Sequence, residues 1–339
     1  MERSQVALSV FLFFCFFVLL DSSQLAHADH PSVSLTTGSA TPITTTGAET
    51  LVKGQWSFGF QYEYVDNNSI SDNRLIANAE ANEDSDVHSI STVRQISLNI
   101  ATGITDNFTL AAQLPYIERT NIVEAHHDED DGETEIEKLG DAEGIGDARL
   151  FGQYRFIKNE SKKHSAAAIF GIKIPTGNTN ERSSEEKYEA ELQPGSGSWD
   201  PFVGLAYSKQ LNKLEFDTNA TYQLVTEGTQ DTDLGDFVGV NTALSYRMKS
   251  GHDHHDKHSY LQWDLIVELN GEWREKEDID GATNDDSGGL VVFASPGVRV
   301  SSNNGLSAAL ALGVPVIEDL NGLQSKPQYR LIANASFAF

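Results

Sequence analysis

Gln328-Tyr-Arg-Leu-Ile-Ala-Asn-Ala-Ser-Phe-Ala-Phe339, the last dozen residues of the chain, alternates in a way that decides the fold. Successive side chains of an extended strand point to opposite faces. Tyr329, Leu331, Ala333, Ala335, Phe337 and Phe339 therefore share an apolar face. Gln328, Arg330, Asn334 and Ser336 share a polar one, on which Ile332 is the apolar exception. One greasy face and one polar face, closed by a terminal aromatic, resemble the last strand of an outer-membrane β-barrel. Tyr329, Phe337 and Phe339 are then candidates for the signal read by the barrel-insertion machinery. An edge strand of a soluble sandwich would alternate in the same way, and the rest of the chain separates the two.

The same period recurs upstream. Trp56, Phe58, Phe60, Tyr62 and Tyr64 alternate with Ser57, Gly59, Gln61 and Glu63, a density of aromatics suited to a lipid-facing strand. Comparable alternation continues through about twelve segments, among them Ile96–Leu98–Ile100, Phe108–Leu110–Ala112–Leu114 and Leu261–Trp263–Leu265–Val267–Leu269. The connections alternate as well. Those after odd-numbered strands are long and acidic, as in residues 66–86, 124–143, 227–236 and 275–286, whereas those after even-numbered strands are mostly short. An even strand number with long loops at one end and short turns at the other is the pattern of a single-chain bacterial barrel, and a sandwich requires neither feature. The expected fold is all-β: a transmembrane, antiparallel, up-and-down barrel of about 12 strands over residues 53–339.

Composition agrees. Beyond the N-terminus no apolar run is long enough for a membrane-spanning helix, and the mean hydropathy of -0.35 is what a strand-built membrane protein gives, because alternation dilutes its apolar content. Fifty acidic against 24 basic residues, a formal charge of -26, argues against nucleic acid as a partner. Residues 1–28 have the form of a signal peptide: Arg3, an apolar core from Ala7 to Leu20, and Ala26-His27-Ala28 at the cleavage position. The only cysteine, Cys15, falls within it, so the exported chain would hold neither disulfide nor thiol chemistry. Residues 29–52, rich in Ser, Thr and Gly without a clear period, read as a flexible lead-in.

With the apolar faces outward, the lumen is expected to be lined by Glu63, Asp147, Arg149, Arg155, Lys173, Glu215, Asp217, Asp264, Glu268, Arg299 and Arg330, with Gln61, Gln95, Asn99 and Gln113. Both signs of charge are present. They fit a polar channel, the favoured reading because a barrel larger than the filled eight-stranded kind leaves interior space; the alternative is a wall braced by ion pairs around a nearly filled interior. Three stretches add a family resemblance. Gly144-Ile-Gly-Asp-Ala-Arg-Leu-Phe-Gly-Gln-Tyr154, Gly171-Ile-Lys-Ile-Pro-Thr-Gly177 and Leu192-Gln-Pro-Gly-Ser-Gly-Ser-Trp-Asp200, in that order, resemble the "MetA-pathway of phenol degradation" family of outer-membrane transporters. The resemblance implies a barrel that moves small solutes, hydrophobic or aromatic, across the outer membrane. The expected partners are outer-membrane lipid, surface glycolipid, the barrel-insertion machinery and a small-molecule solute.

Other chemistry is thinner. His252, His254, His255 and His258 form a His-rich connection with metal-ligand residue types but no evident scaffold, placed by strand parity at the periplasmic end. His126-His127 beside an acidic run is a lesser candidate, and Asp278-Ile-Asp-Gly281 lacks the full calcium-loop pattern. A hydrolase reading would rest on His88, Ser89 and Ser91 with Asp84 or Asp86, but Ser and His within one loop are common by chance, and no enzyme is expected. Phosphate-cradling and dinucleotide-binding motifs are absent, so no cofactor is expected. The acidic loops would repel one another unless divalent cations bridged them, or would favour cationic solutes through their field. Mass spectrometry of the exported protein should find Asp29 at its N-terminus; a chain retaining Cys15 would refute the signal-peptide assignment.

Overall fold

The structure is a computed structural model that describes residues 42–81, 87–127, 134–183, 186–248 and 261–339. The signal peptide assigned to residues 1–28 and the His-rich connection lie outside these residues. The described chain forms a closed barrel of twelve antiparallel strands. Ascending from the end that holds the chain terminus, β1 (Trp56–Asn68) is followed by β2 (Thr92–Thr105) and β3 (Phe108–His127). β4 (Thr134–Ile145) and β5 (Ala148–Asn159) are two halves of one wall strand, interrupted at Gly146-Asp147. Both run antiparallel to β3, β5 along residues 108–113 and β4 along residues 116–127. The circuit continues with β6 (His164–Ile174), β7 (Asp200–Leu211) and β8 (Leu214–Gln223). After a small β9 (Thr232–Asp233) come β10 (Phe237–Arg247) and β11 (Leu261–Arg274). The small β12 (Asp278–Ile279) and β13 (Ala282–Thr283) precede β14 (Gly289–Ser302), β15 (Leu306–Leu320) and β16 (Lys326–Ala338).

β16 pairs with β1 from Ser57↔Ala338 to Asn68↔Lys326 and closes the barrel, so no sheet edge is left facing lipid. The seam is knitted at its lower end by reciprocal bonds, Trp56 N–H to Phe339 O and Phe339 N–H to Trp56 O, both 2.9 Å. The Phe339 ring stacks on Phe58 at 6.0 Å and on Phe337 at 5.3 Å. Side-chain alternation follows the sequence. Phe58, Phe60, Leu98, Leu110, Leu114, Val203, Leu205, Leu265, Val267, Leu310 and Phe337 are exposed on the outer wall. The alternate positions Gln61, Glu63, Ser97, Gln113, Asp264, Glu268 and Arg330 are buried within.

Three segments differ from the sequence expectation. The acidic run at residues 124–143 is largely strand: β3 and β4 continue as a hairpin above the wall, pairing from Val123↔Lys138 to His127↔Thr134. Beyond the membrane no lipid demands an apolar outer face, so charge there does not oppose strand formation. The acidic stretch at residues 66–86 contains a helix, α1 (Asp72–Ala81), whose Leu75 and Ala79, four apart on one face, are buried. Leu75 joins Ile70 and Val87 against Val123, Ala125 and Ile136 of the hairpin, which explains why both form. Asp72 in the first turn complements the helix dipole. The third difference is the lead-in. From residue 42 onward it is packed inside the barrel, where Ile43 and Ala48 are fully buried.

Because Phe339 carries both the last backbone bonds of the seam and its aromatic stack, deleting it should lower the yield of folded, heat-modifiable barrel several-fold. Undiminished folded protein in the outer-membrane fraction would show that the seam does not need it.

Candidate functional site

The interior is the site. Alternation places a polar wall around a space that twelve strands make too wide for side chains to fill. Main chain fills part of it. Residues 42–51 run from mid-lumen down to the rim where β1 begins, and main chain brought inside a barrel must have its donors and acceptors matched. Glu268 of β11 receives the N–H groups of Ile43 (2.7 Å) and Thr44 (2.9 Å). Asn219 accepts from Thr46 N–H at 2.8 Å, Ser208 from Ala48 N–H at 2.7 Å and Thr109 from Leu51 N–H at 2.9 Å. Gln153 donates to the Gly47 carbonyl and Asn334 to the Ile43 carbonyl. Arg155 pairs with Glu49. The apolar side chains of the segment are matched too. Ile43 packs with Ile266, Ala309, Ala311 and Ile332, and Ala48 with Phe151, Ile169 and Phe202 among others. Gly297 is where β14 lets Ile43 approach, since a Cβ there would lie 2.5 Å from its Cδ1.

A second plug comes from the loop end. The three stretches that carry the family resemblance are far apart in sequence and converge on one carboxylate, that of Asp147 at the interruption between β4 and β5. Its Oδ1 accepts the Gly177 N–H at 2.9 Å, and its Oδ2 accepts both the N–H and the hydroxyl of Ser196 at 2.8 Å. Lys173 lies 3.4 Å from Asp147 and 2.6 Å from Asp200, and it also donates to Ser196 and Ser198. Gly177 and Gly195 meet backbone to backbone, at a spacing that leaves no room for a Cβ on either. The β6–β7 loop is thereby folded into the mouth of the barrel, with Leu192, Gln193, Ser196 and Ser198 buried. Beside it remains a polar cavity of about 110 Å³ bordered by Gln95, Gln113, Arg149, Gln223 and Arg274. A larger apolar hollow, lined by Phe58, Phe60, Leu98, Leu306 and Phe337, lies on the lipid-facing wall, outside the lumen.

Of the lumen set read from sequence, Glu63, Asp147, Arg155, Lys173, Asp217, Asp264, Glu268, Arg299 and Arg330 are buried, while Arg149 and Glu215 are half-buried. They are not a free polar lining. Glu268 and Arg155 hold the N-terminal segment, and Asp217 contacts it through Ser208. Asp147 and Lys173 hold the loop. Asp264 pairs with Arg299 at 2.9 Å. Arg330 lies 2.7 Å from Glu272 and 3.7 Å from Glu63, donates to Asn270 Oδ1 at 2.7 Å, and rests 4.0 Å over the Phe293 ring. Arg149 sits over Phe202 at 5.7 Å, and Glu215 borders Arg299 and Arg247 near the opposite end.

Above the mouth, His88 is buried between carboxylates. Its Nε2 lies 2.8 Å from Glu124 and 3.8 Å from Glu189, and its Nδ1 lies 3.1 Å from Glu191. Burial works to lower the imidazole pKa, but the bonds to Glu124 and Glu191 and the charge of Glu189 override it and hold the pKa well above the ordinary value. Burial likewise works to raise Glu191, and the contact with His88 holds it below the usual carboxylate range. The hydrolase grouping does not assemble among the described residues. The Ser89 hydroxyl accepts the Ile70 N–H and the Ser91 hydroxyl meets Ser69, while Asp84 and Asp86 fall outside the description. The side chains of His126 and His127 also fall outside it.

The family model for the MetA-pathway of phenol degradation matches residues 90–318, more than half of the chain. The chain belongs to this family. Among solved structures, the COG4313 outer membrane channel from Pseudomonas putida F1 is similar at 18% identity, covering 86% of this chain and 98% of that one with a TM-score of 0.58. The β-domain of the Bordetella autotransporter BrkA follows at 9% identity, 85% and 100% coverage and a TM-score of 0.44. LpxR from Salmonella typhimurium follows at 11%, 83% and 98%, with a TM-score of 0.43. At such identities the likeness concerns the fold, an outer-membrane barrel. No curated protein matches the chain.

Sequence reasoning missed both plugs, although one signal was visible. Phe151, Ile169, Phe202, Ile266 and Ile332 are apolar residues at inward positions, and all of them pack on or around the N-terminal segment. The charge cluster gives a direct test. Arg330→Ala would leave Glu63 and Glu272 without their shared cation, a loss expected to cost about 3–5 kcal/mol for a buried pair. Denaturant unfolding of the barrel in micelles should report it; a change below about 1 kcal/mol, the range of solvated pairs, would mean water already serves these carboxylates.

Proposed function

We propose that this family member conducts a small apolar or aromatic solute across the outer membrane, and that the lumen-filling N-terminal segment is its gate. One observation carries the reading: residues 42–51 occupy the lumen but belong to no strand, and their hold is a set of individual hydrogen bonds to wall side chains rather than a continuous ladder. Such a segment can leave without breaking the wall. The place it vacates is lined by Phe151, Ile169, Phe202, Ile266 and Ile332 as well as by charges, which suits a solute with an apolar body and a polar handle. The family's association with phenol degradation and the likeness to an outer membrane channel point the same way.

The competing reading is a structural barrel permanently closed by the same segment. Planar-bilayer recordings separate the two. The full chain should conduct weakly, and both deletion of residues 42–51 and the milder Glu268→Gln, which weakens the charge-assisted bonds to Ile43 and Thr44, should raise conductance and open probability. If the deletion folds, as judged by heat-modifiability, and still conducts nothing, the channel reading fails.

A further inference from the structure

The cluster around His88 serves neither the wall nor the lumen, and its composition is unusual for a structural ion pair. Three carboxylates, Glu124, Glu189 and Glu191, converge on one imidazole, so even a protonated ring leaves the group with net negative charge. Donor atoms of His88, Glu189 and Glu191 all lie within 4.8 Å of one another. His88 and Glu191 are more than nine-tenths buried, and Glu191 Oε2 has no hydrogen-bond partner among the described residues. A buried, unpartnered carboxylate oxygen costs free energy unless a cation meets it. The side chains of Glu124 and Glu189 are more exposed and leave a route from solvent.

We propose that His88, Glu189 and Glu191, with Glu124 as the fourth ligand, bind one divalent transition-metal ion of the zinc type. One imidazole nitrogen with carboxylate oxygens is a donor set suited to zinc, and calcium would favour oxygen alone. The residues arrive from three parts of the chain: the segment leading into β2, the hairpin extension of β3, and the β6–β7 loop. Glu191 directly precedes Leu192 and Gln193, whose carbonyls accept from Arg119 at 3.3 and 3.4 Å as the loop turns into the barrel. An ion at this point pins the root of the inward-folded loop to β3. The outer plug would then be metal-locked and would loosen when the ion is removed.

The test is zinc titration of the purified, folded full chain against a competing chromophoric chelator. It is run in parallel on a version whose tract histidines are replaced (His252→Ala, His254→Ala, His255→Ala, His258→Ala), because that tract can also take zinc. The expected result is one tight zinc per chain that survives loss of the tract and weakens at least about tenfold in Glu189→Gln and in Glu191→Gln. Zinc-edge absorption should show one imidazole among oxygen ligands. Glu189 is the most exposed of the ligands, so Glu189→Gln should keep its fold if Glu191→Gln does not, and heat-modifiability identifies which variants count. Tight binding that disappears with the tract, that is unchanged in folded Glu189→Gln, or that shows several imidazoles at the metal would overturn the proposal.

Discussion

A β-sheet in lipid can leave no backbone group unpaired, so the bonds from β16 to β1 set the terms for the whole molecule. Once those strands meet in the register Ser57↔Ala338, every inward and outward position around the circuit is determined. Leucines and aromatics on the outer wall gain no hydrophobic driving force in a hydrocarbon solvent, only local packing. The stabilising side-chain interactions must therefore come from within, where charge and amide groups are shielded from lipid and, in part, from water.

That interior is satisfied from both ends. Near the terminal rim, wall acceptors and donors meet the main chain of residues 42–51 almost group by group. Near the loops, a single carboxylate, Asp147, collects three donors from two returning segments, and Lys173 ties it to Asp200. The two devices differ in kind. The lower one is spread over many strands, each contributing a bond or two, and its loss can be gradual. The upper one is concentrated at one break in one strand and rests on the direct contact of Gly177 with Gly195, so a single methyl group at either glycine would force the two arms of the loop apart.

The wall was legible in the sequence because its rule is simple: period two, an even number of strands, and loops that alternate in length. That rule is imposed by lipid on each strand separately, so each strand displays it locally. What fills the wall was not legible, for a physical reason. Residues 42–51 form no ladder and have no period; their conformation is dictated by acceptors that lie up to 225 residues away in the chain, as with Ile43 and Glu268. The charged hairpin of β3 and β4 was mistaken for a loop because the polarity rule that holds within a membrane lapses above it. Ile332, noticed as an exception on a polar face, was the visible trace of Ile43. Together with Ile266 and Phe151, it marks the inward apolar surface on which Ile43 and Ala48 pack.

The lower plug is continuous with β1, and its root is fastened where Trp56 and Phe339 exchange backbone bonds. A segment released from the lumen therefore stays on a leash of a few residues, at an effective concentration on the order of millimolar beside the place it left. Reseating it is a unimolecular event that needs no partner and no energy source. Under the proposed gating, a barrel closed in this way would reset its lower plug after each passage through one intramolecular equilibrium.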